Sequence, residues 1–117
     1  MLDSCLLVDD SVEFLAAAKR LLEAQGVSVV RSATSRAEAL GLAAAESPDV
    51  ILVDVELGDE DGVGLAAELA GATPPASVIL ISGYDQDDVS VLIEGSGAAG
   101  FLPKSALGVP AIAELVG

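Results

Sequence analysis

Asp49 to Gly62 reads DVILVDVELGDEDG, and how this stretch is understood decides the fold. Val50, Ile51, Leu52 and Val53 follow one another with no polar residue between them. That is the pattern of a strand buried on both faces, as in a parallel sheet, whereas a half-exposed strand would alternate. The run stops on one carboxylate, Asp54, and opens into an acidic, glycine-bearing loop. Open α/β sheets bind their ligands beyond the carboxyl ends of the strands, so an aspartate in this place is a candidate site residue.

The same arrangement recurs on either side. Cys5, Leu6, Leu7 and Val8 form an apolar run that ends on Asp9 and Asp10, and Ser77 to Ser82 carries Val78, Ile79, Leu80 and Ile81 up to a hydroxyl. A short fifth run, Ala99 to Leu102, leads into Pro103 and Lys104, while Val27, Val29 and Val30 supply a second strand. Helical segments separate these runs. Ser11 is placed to cap a helix reaching about Gln25, with Val12, Leu15, Ala18 and Leu22 at helical spacing and Gly26 to end it. Ser35 with Glu38 forms a capping box for a helix through Glu46, closed by Pro48. A third helix is expected from about Gly62 to Ala70, followed by a break at Gly71, Thr73, Pro74 and Pro75. After the turn at Gly83, Asp85 and Asp88 open a fourth helix to about Ser96, and Pro110 suits the first turn of a last helix ending near Val116. Strand and helix thus alternate five times, a (βα)5 order that implies a parallel sheet covered on both faces. The short fifth strand and the last helix are its weakest members.

At 117 residues the chain reads as one domain over residues 1–117, long enough to bury a core. Hydrophobic residues make up 52% and aromatics 3%, so that core must be aliphatic. The net charge of -14, from 19 acidic and 5 basic side chains, opposes direct binding to nucleic acid or to an anionic membrane surface. Partners with basic patches, or a divalent cation, suit it better. Cys5 is the one cysteine, so no internal disulfide can form, and its place in an apolar run marks it as a buried small hydrophobe. Without a signal-like start or a membrane-length apolar run, a cytoplasmic location is expected.

In a parallel sheet the polar residues that end each apolar run come together in space. Here those are Asp9, Asp10, Asp54, Ser82 and Lys104. Two carboxylates about 4 Å apart repel by roughly 4 kcal/mol at an effective dielectric of about 20, so three in one cleft call for a cation. Mg2+ fits, because it commonly takes one or two carboxylates and keeps room for phosphate oxygens. A dication and the Lys104 ammonium would balance three carboxylates and admit a phosphate donor, with Asp54 as the nucleophile that forms an acyl phosphate and Ser82 as a hydroxyl donor to the product.

Asp9 and Asp10 after the first strand, Asp54 after the third, Ser82 and Gly83 after the fourth, and Phe101, Leu102, Pro103, Lys104 and Ser105 at the fifth resemble a two-component response regulator receiver domain. The likeness covers essentially the whole chain; each motif is weak alone, and their order and spacing together are specific. It implies a flavodoxin-like, doubly wound parallel five-stranded sheet of order 2-1-3-4-5. It further implies that Asp54 accepts a phosphoryl group from a sensor histidine kinase or a histidine phosphotransfer protein. Asp10 and Asp54 would hold Mg2+ directly, Asp9 largely through water, and Glu56 through its backbone carbonyl. Lys104 would pair with the phosphate, Ser82 would move to meet it, and Phe101 would be the aromatic switch on the face of the fourth helix, fifth strand and fifth helix, where a homodimer or partner would form.

The chain also departs from that family's pattern. Gly58 stands where many relatives have proline, which implies a freer loop, and Phe101 lacks the hydroxyl of the commoner tyrosine. Glu56 and Tyr84 occupy positions that tune phosphate loss in relatives, and Asp59, Glu60 and Asp61 read as a solvated loop without a chemical role. Taken singly, Asp9 and Asp10 are ordinary capping or turn residues, Asp54 a strand terminus, Ser82 a turn residue, Lys104 a surface lysine and Phe101 a core aromatic. Their joint fall at the ends of apolar runs outweighs those readings.

Three alternatives stand beside this one. A haloacid-dehalogenase-like phosphatase would also use a strand-end aspartate with Mg2+, but the chain is short for it and the second acid is Glu56. A flavodoxin would need a phosphate-cradling loop where Asp9 and Asp10 stand. An unphosphorylated pseudo-receiver, acting only as an interaction module, would not need the full set of acids, hydroxyl and lysine. As for organisation, the chain is either a stand-alone receiver or the regulatory half of a longer protein, and the Phe101 to Ser105 motif favours the latter slightly.

Overall fold

The computed structural model describes residues 2–71, 77–83 and 96–116. Within them five strands form one parallel sheet: β1 (Ser4–Val8), β2 (Val29–Ala33), β3 (Val50–Asp54), β4 (Ser77–Ser82) and β5 (Gly100–Pro103). Their order across the sheet is β2-β1-β3-β4-β5, the doubly wound flavodoxin-like order. Helices α1 (Val12–Ala24), α2 (Arg36–Glu46), α3 (Gly62–Ala70) and a C-terminal helix (Val109–Val116) cover the sheet. Of the fourth helix expected from Asp85 to about Ser96 all but Ser96 lies outside the described residues, as do Tyr84 and, from the expected break, Thr73, Pro74 and Pro75.

The unbroken apolar runs are explained by the two faces they serve. Leu6, Val8, Ile51, Val53, Val78, Leu80 and Phe101 pack with Ala39 of α2 and with Leu65, Ala66 and Leu69 of α3. Their neighbours in the chain, Cys5, Leu7, Val50, Leu52, Ile79, Ile81 and Leu102, pack on the opposite face with Leu15, Ala18 and Leu22 of α1 and Ile112 of the C-terminal helix. Successive strand side chains point to opposite faces, so a central strand must be apolar at every position to fill both layers. Every residue of β3 is buried, Asp54 included.

Capping follows the chain's own signals. Ser11 Oγ accepts the N–H of Phe14, and Ser35 Oγ accepts that of Glu38 while Glu38 Oε1 accepts that of Thr34. Gly26, at φ +100°, lets the chain leave α1 with Val27 N–H bonded back to Leu22 C=O. Asp49 precedes β3 instead of opening it: its carboxylate accepts the N–H groups of Asp3 and Ser4, and its own N–H donates to Ser4 Oγ.

Three expectations need correction. Val12 is not part of the buried stripe of α1; it is 69% exposed. At about 100° per residue, Leu15, Ala18 and Leu22 fall within a sector of about 60°, and Val12 lies about 60° further round. The acidic loop has structure of its own, because Glu56–Leu57 pairs antiparallel with Glu60–Asp61. Gly58 sits in the tight turn between them at φ +60°, so it meets a conformational demand there and does not simply loosen the loop. Asp61 caps α3 by accepting the N–H of Val63, and Glu60 accepts that of Arg36, which gives two of the three exposed acids a structural job.

Cys5 is buried, and burial pushes its thiol up to about 12. The unfolded chain loses this proton near pH 9 and the folded chain keeps it. The resulting contribution to stability is therefore complete below pH 9 and falls as pH rises toward 12. In that window the wild type should lose stability about 1.4 kcal/mol per pH unit faster than Cys5→Ala. Urea unfolding of both proteins across an alkaline pH series measures the difference, and parallel curves would contradict it.

Candidate functional site

The carboxyl ends of β1, β3, β4 and β5 and the segment that follows each deliver Asp9, Asp10, Asp54, Ser82 and Lys104 to one edge of the sheet. Asp10, Asp54, Glu56, Gly58, Ser82, Gly83 and Lys104 line a cleft of about 320 Å³. All the strand-end residues expected to converge do so. Asp9, Asp54 and Ser82 are buried, and Asp10 is exposed at the mouth. Phe101 stands apart from the cleft, buried against the α2 and α3 layer.

Lys104 opens a short 3-10 turn (Lys104–Ala106) directly after β5 and reaches back across the strand ends. Its Nζ lies 2.6 Å from Asp9 Oδ2 and 3.2 Å from Asp54 Oδ2. Asp54 Oδ1 accepts the N–H of Glu56 at 3.0 Å, and Asp9 Oδ1 accepts that of Ser11 at 2.8 Å. Each buried carboxylate thus has one oxygen held by the backbone of the following turn and the other turned toward the ammonium.

The electrostatics are unbalanced. Burial pushes the Asp54 carboxyl above its ordinary range and Asp9 adds to the shift, against the lowering action of the Glu56 N–H and of Lys104. For Lys104, burial disfavours the charge, but Asp9 and Asp54 outweigh it and hold the ammonium above the ordinary lysine value. One ammonium does not compensate three acids. Carboxylate oxygens of Asp9, Asp10 and Asp54 come within 4.8 Å of one another. Moreover, Asp9 Oδ2 is fully buried and has no aligned hydrogen-bond donor, since the close Lys104 contact is badly directed. A buried acceptor in that condition is costly unless something else satisfies it. An all-oxygen set in which three acids share one ammonium fits a hard divalent cation.

One residue of this site has no place among the strand-end signals. The Phe14 ring, half-buried in the first turn of α1, lies with its centroid 4.4 Å from Lys104 Nζ. The available hint was its rarity: the chain has 2 Phe and 1 Tyr, and one of these follows the paired acids by a single helical turn.

A family model described as the response regulator receiver domain matches residues 5–114. The "Probable transcriptional regulatory protein NarL" of Mycobacterium tuberculosis is 38% identical over 97 residues, which is 82% of this chain and 45% of that protein. A response regulator from Burkholderia pseudomallei, solved with a phosphorylated aspartic acid, calcium ion and citrate, superposes with a TM-score of 0.84 at 33% identity, over 98% of this chain and 66% of the other. A CheY-like response regulator receiver domain protein from Methanospirillum hungatei gives a TM-score of 0.81 at 27% identity, over 99% of this chain and 91% of the other. The chain spans about half the length of the curated relatives it matches.

Proposed function

The chain belongs to the response regulator receiver domain family, and from that membership we propose that Asp54 is its phosphoacceptor. The observation that carries the assignment is the Asp54 carboxylate, fixed at the end of the central strand by the Glu56 N–H, facing Lys104 and opening onto the cleft. The donor is a phosphohistidine on a sensor histidine kinase or a histidine phosphotransfer protein. An Asp54 oxygen attacks phosphorus, the P–N bond breaks, the imidazole nitrogen leaves with the bonding pair and takes a proton, and the product is a mixed carboxylic–phosphoric anhydride on Asp54.

Asp9, Asp10 and Asp54, with the backbone carbonyl of Glu56, would hold Mg2+. When bound, that ion neutralises negative charge on the phosphoryl oxygens. Lys104 stands ready to pair with the phosphate, and the buried Ser82 hydroxyl lines the same cleft to donate to it. This arrangement lets the domain catalyse its own phosphorylation and, with water as the acceptor, its slow dephosphorylation. Phe101 would report the state through burial of its ring, which packs on the α2 and α3 side of β5 and not with the C-terminal helix, toward an output region, a partner or a second copy. We place the domain over residues 1–117 and in the cytoplasm; no helix among the described residues is long and apolar enough to cross a membrane.

Incubation with Mg2+ and acetyl phosphate tests the assignment, because it removes the kinase from the question. One hydroxylamine-labile phosphate per chain is expected. Repeated turnover of a phosphomonoester would instead support a phosphatase, and absence of any label would leave only an interaction module.

A further inference from the structure

We propose that Phe14 is a positioning residue for Lys104, its ring face holding the ammonium between Asp9 and Asp54 where it meets the phosphoryl group. This rests on the assignment of Lys104 to the phosphate. The ring centroid lies 4.4 Å from Nζ, well inside the roughly 6 Å over which an aromatic face attracts a cation. A lysine stem is long and flexible, and the two carboxylates, at 2.6 Å for Asp9 and 3.2 Å for Asp54, hold its charged end without covering the stem. The ring supplies a third point of attraction.

Phe14 suits this task because it adds no charge. A further acid would deepen the excess of negative charge that already opposes a phosphate donor, and a polar side chain would compete for the ammonium's donors. The ring attracts the cation through its quadrupole and leaves those donors to oxygen. Its own position is tied to the site. Asp9 Oδ1 accepts the Ser11 N–H, and Ser11 Oγ accepts the Phe14 N–H, so the carboxylate and the ring that flank Lys104 are linked through one helix cap. The ring also packs against the α1 and C-terminal helix layer of the core, which limits its movement.

A purely packing role, with Phe14 covering the lysine stem, predicts that leucine would serve equally well. Fluorination separates the two, because it drains the ring quadrupole with little change in shape. In the full chain, phenylalanine analogues carrying one, two and three fluorines at position 14 should slow labelling by acetyl phosphate in steps, to a total of about 2- to 5-fold, with an unchanged melting temperature. Phe14→Tyr should stay within about twofold of wild type and Phe14→Leu should match the trifluoro protein. Equal rates across the fluorine series, or a Phe14→Leu protein as fast as wild type, would overturn the proposal. A second readout does not depend on phosphoryl transfer: the Lys104 Hε protons should show an upfield ring-current shift that Phe14→Leu removes. If the wild type takes no label at all, the assignment of Asp54 fails, and the ring-current shift alone then decides the contact, its presence supporting the Phe14–Lys104 pairing and its absence refuting it.

Discussion

Asp54→Asn should take up no hydroxylamine-labile phosphate from acetyl phosphate and, in EDTA, should melt at a higher temperature than the wild type. The first effect is a complete loss. Acyl phosphate formation needs a carboxylate oxygen, an amide is no substitute, and of the two described acids in contact with Lys104, Asp9 and Asp54, only Asp54 lines the cleft. The second effect follows from the cost of keeping the carboxylate where it is. Burial and the nearby Asp9 raise the Asp54 carboxyl above its ordinary range despite Lys104 and the Glu56 N–H, so at neutral pH the ionised side chain opposes folding. Asparagine keeps an acceptor for the Glu56 N–H, has nearly the same shape and carries no charge, while Lys104 retains Asp9 at 2.6 Å. Mg2+ should then raise the melting temperature of the wild type more than that of Asp54→Asn, since a cation that binds only the folded state stabilises it by mass action and the variant has lost one ligand. Calorimetric scans with EDTA and with Mg2+ measure both shifts. A variant that melts below the wild type in EDTA would show that the carboxylate is compensated within the fold, and retained label would move the acceptor elsewhere.

Gly62→Ala should be the most damaging glycine-to-alanine substitution among the described residues. A Cβ at Gly62 would collide with the carbonyl oxygen of Asp54 and sit 2.9 Å from its carbonyl carbon. Neither atom is the end of a side chain that can swing aside; both belong to the strand end that carries the phosphoacceptor. Inserting a methyl group into a closed interior costs typically 1–3 kcal/mol, and against immovable backbone about 3 kcal/mol or more is expected. For a domain near this size that lowers the melting temperature by at least roughly 12 °C. Gly41→Ala is the fitting control. It lies in α2 with nothing within 4 Å of its added Cβ, so it should stabilise by up to about 1 kcal/mol through helix propensity. If both variants melted alike, the close approach of α3 to the Asp54 backbone would be disproved. Loss of labelling in a Gly62→Ala protein that still folds would show that the approach also sets the aim of Asp54.

The strands were legible because their burial is independent of partner. Val50 to Val53 must be covered on both faces whatever covers them, and the same holds for Cys5 to Val8 and Val78 to Ile81. The strand-end residues were legible for the same reason: parallel strands carry their ends to one edge, so Asp9, Asp10, Asp54, Ser82 and Lys104 had to meet. Val12 was misjudged because an apolar residue near helical spacing does not declare which side of the stripe it falls on. The turn at Gly58 was not legible, because a glycine that frees a loop and a glycine that makes a tight turn look alike until the pairing of Glu56–Leu57 with Glu60–Asp61 is seen.

By itself, then, the sequence determined the alternation of buried strands and helices, the caps at Ser11 and Ser35, and which polar residues share the strand-end edge. Each of these rests on local pattern or on a parallel sheet's bringing equivalent ends together. Only the tertiary structure decided how the members of that edge meet: that Lys104 bridges Asp9 and Asp54, that Asp9 keeps an oxygen without an aligned donor, that Phe14 lies against the ammonium, and that Gly62 admits the Asp54 backbone. Those facts depend on distances of a few ångströms between elements far apart in the chain. Such distances are set by how helices seat on the sheet, which no local pattern encodes.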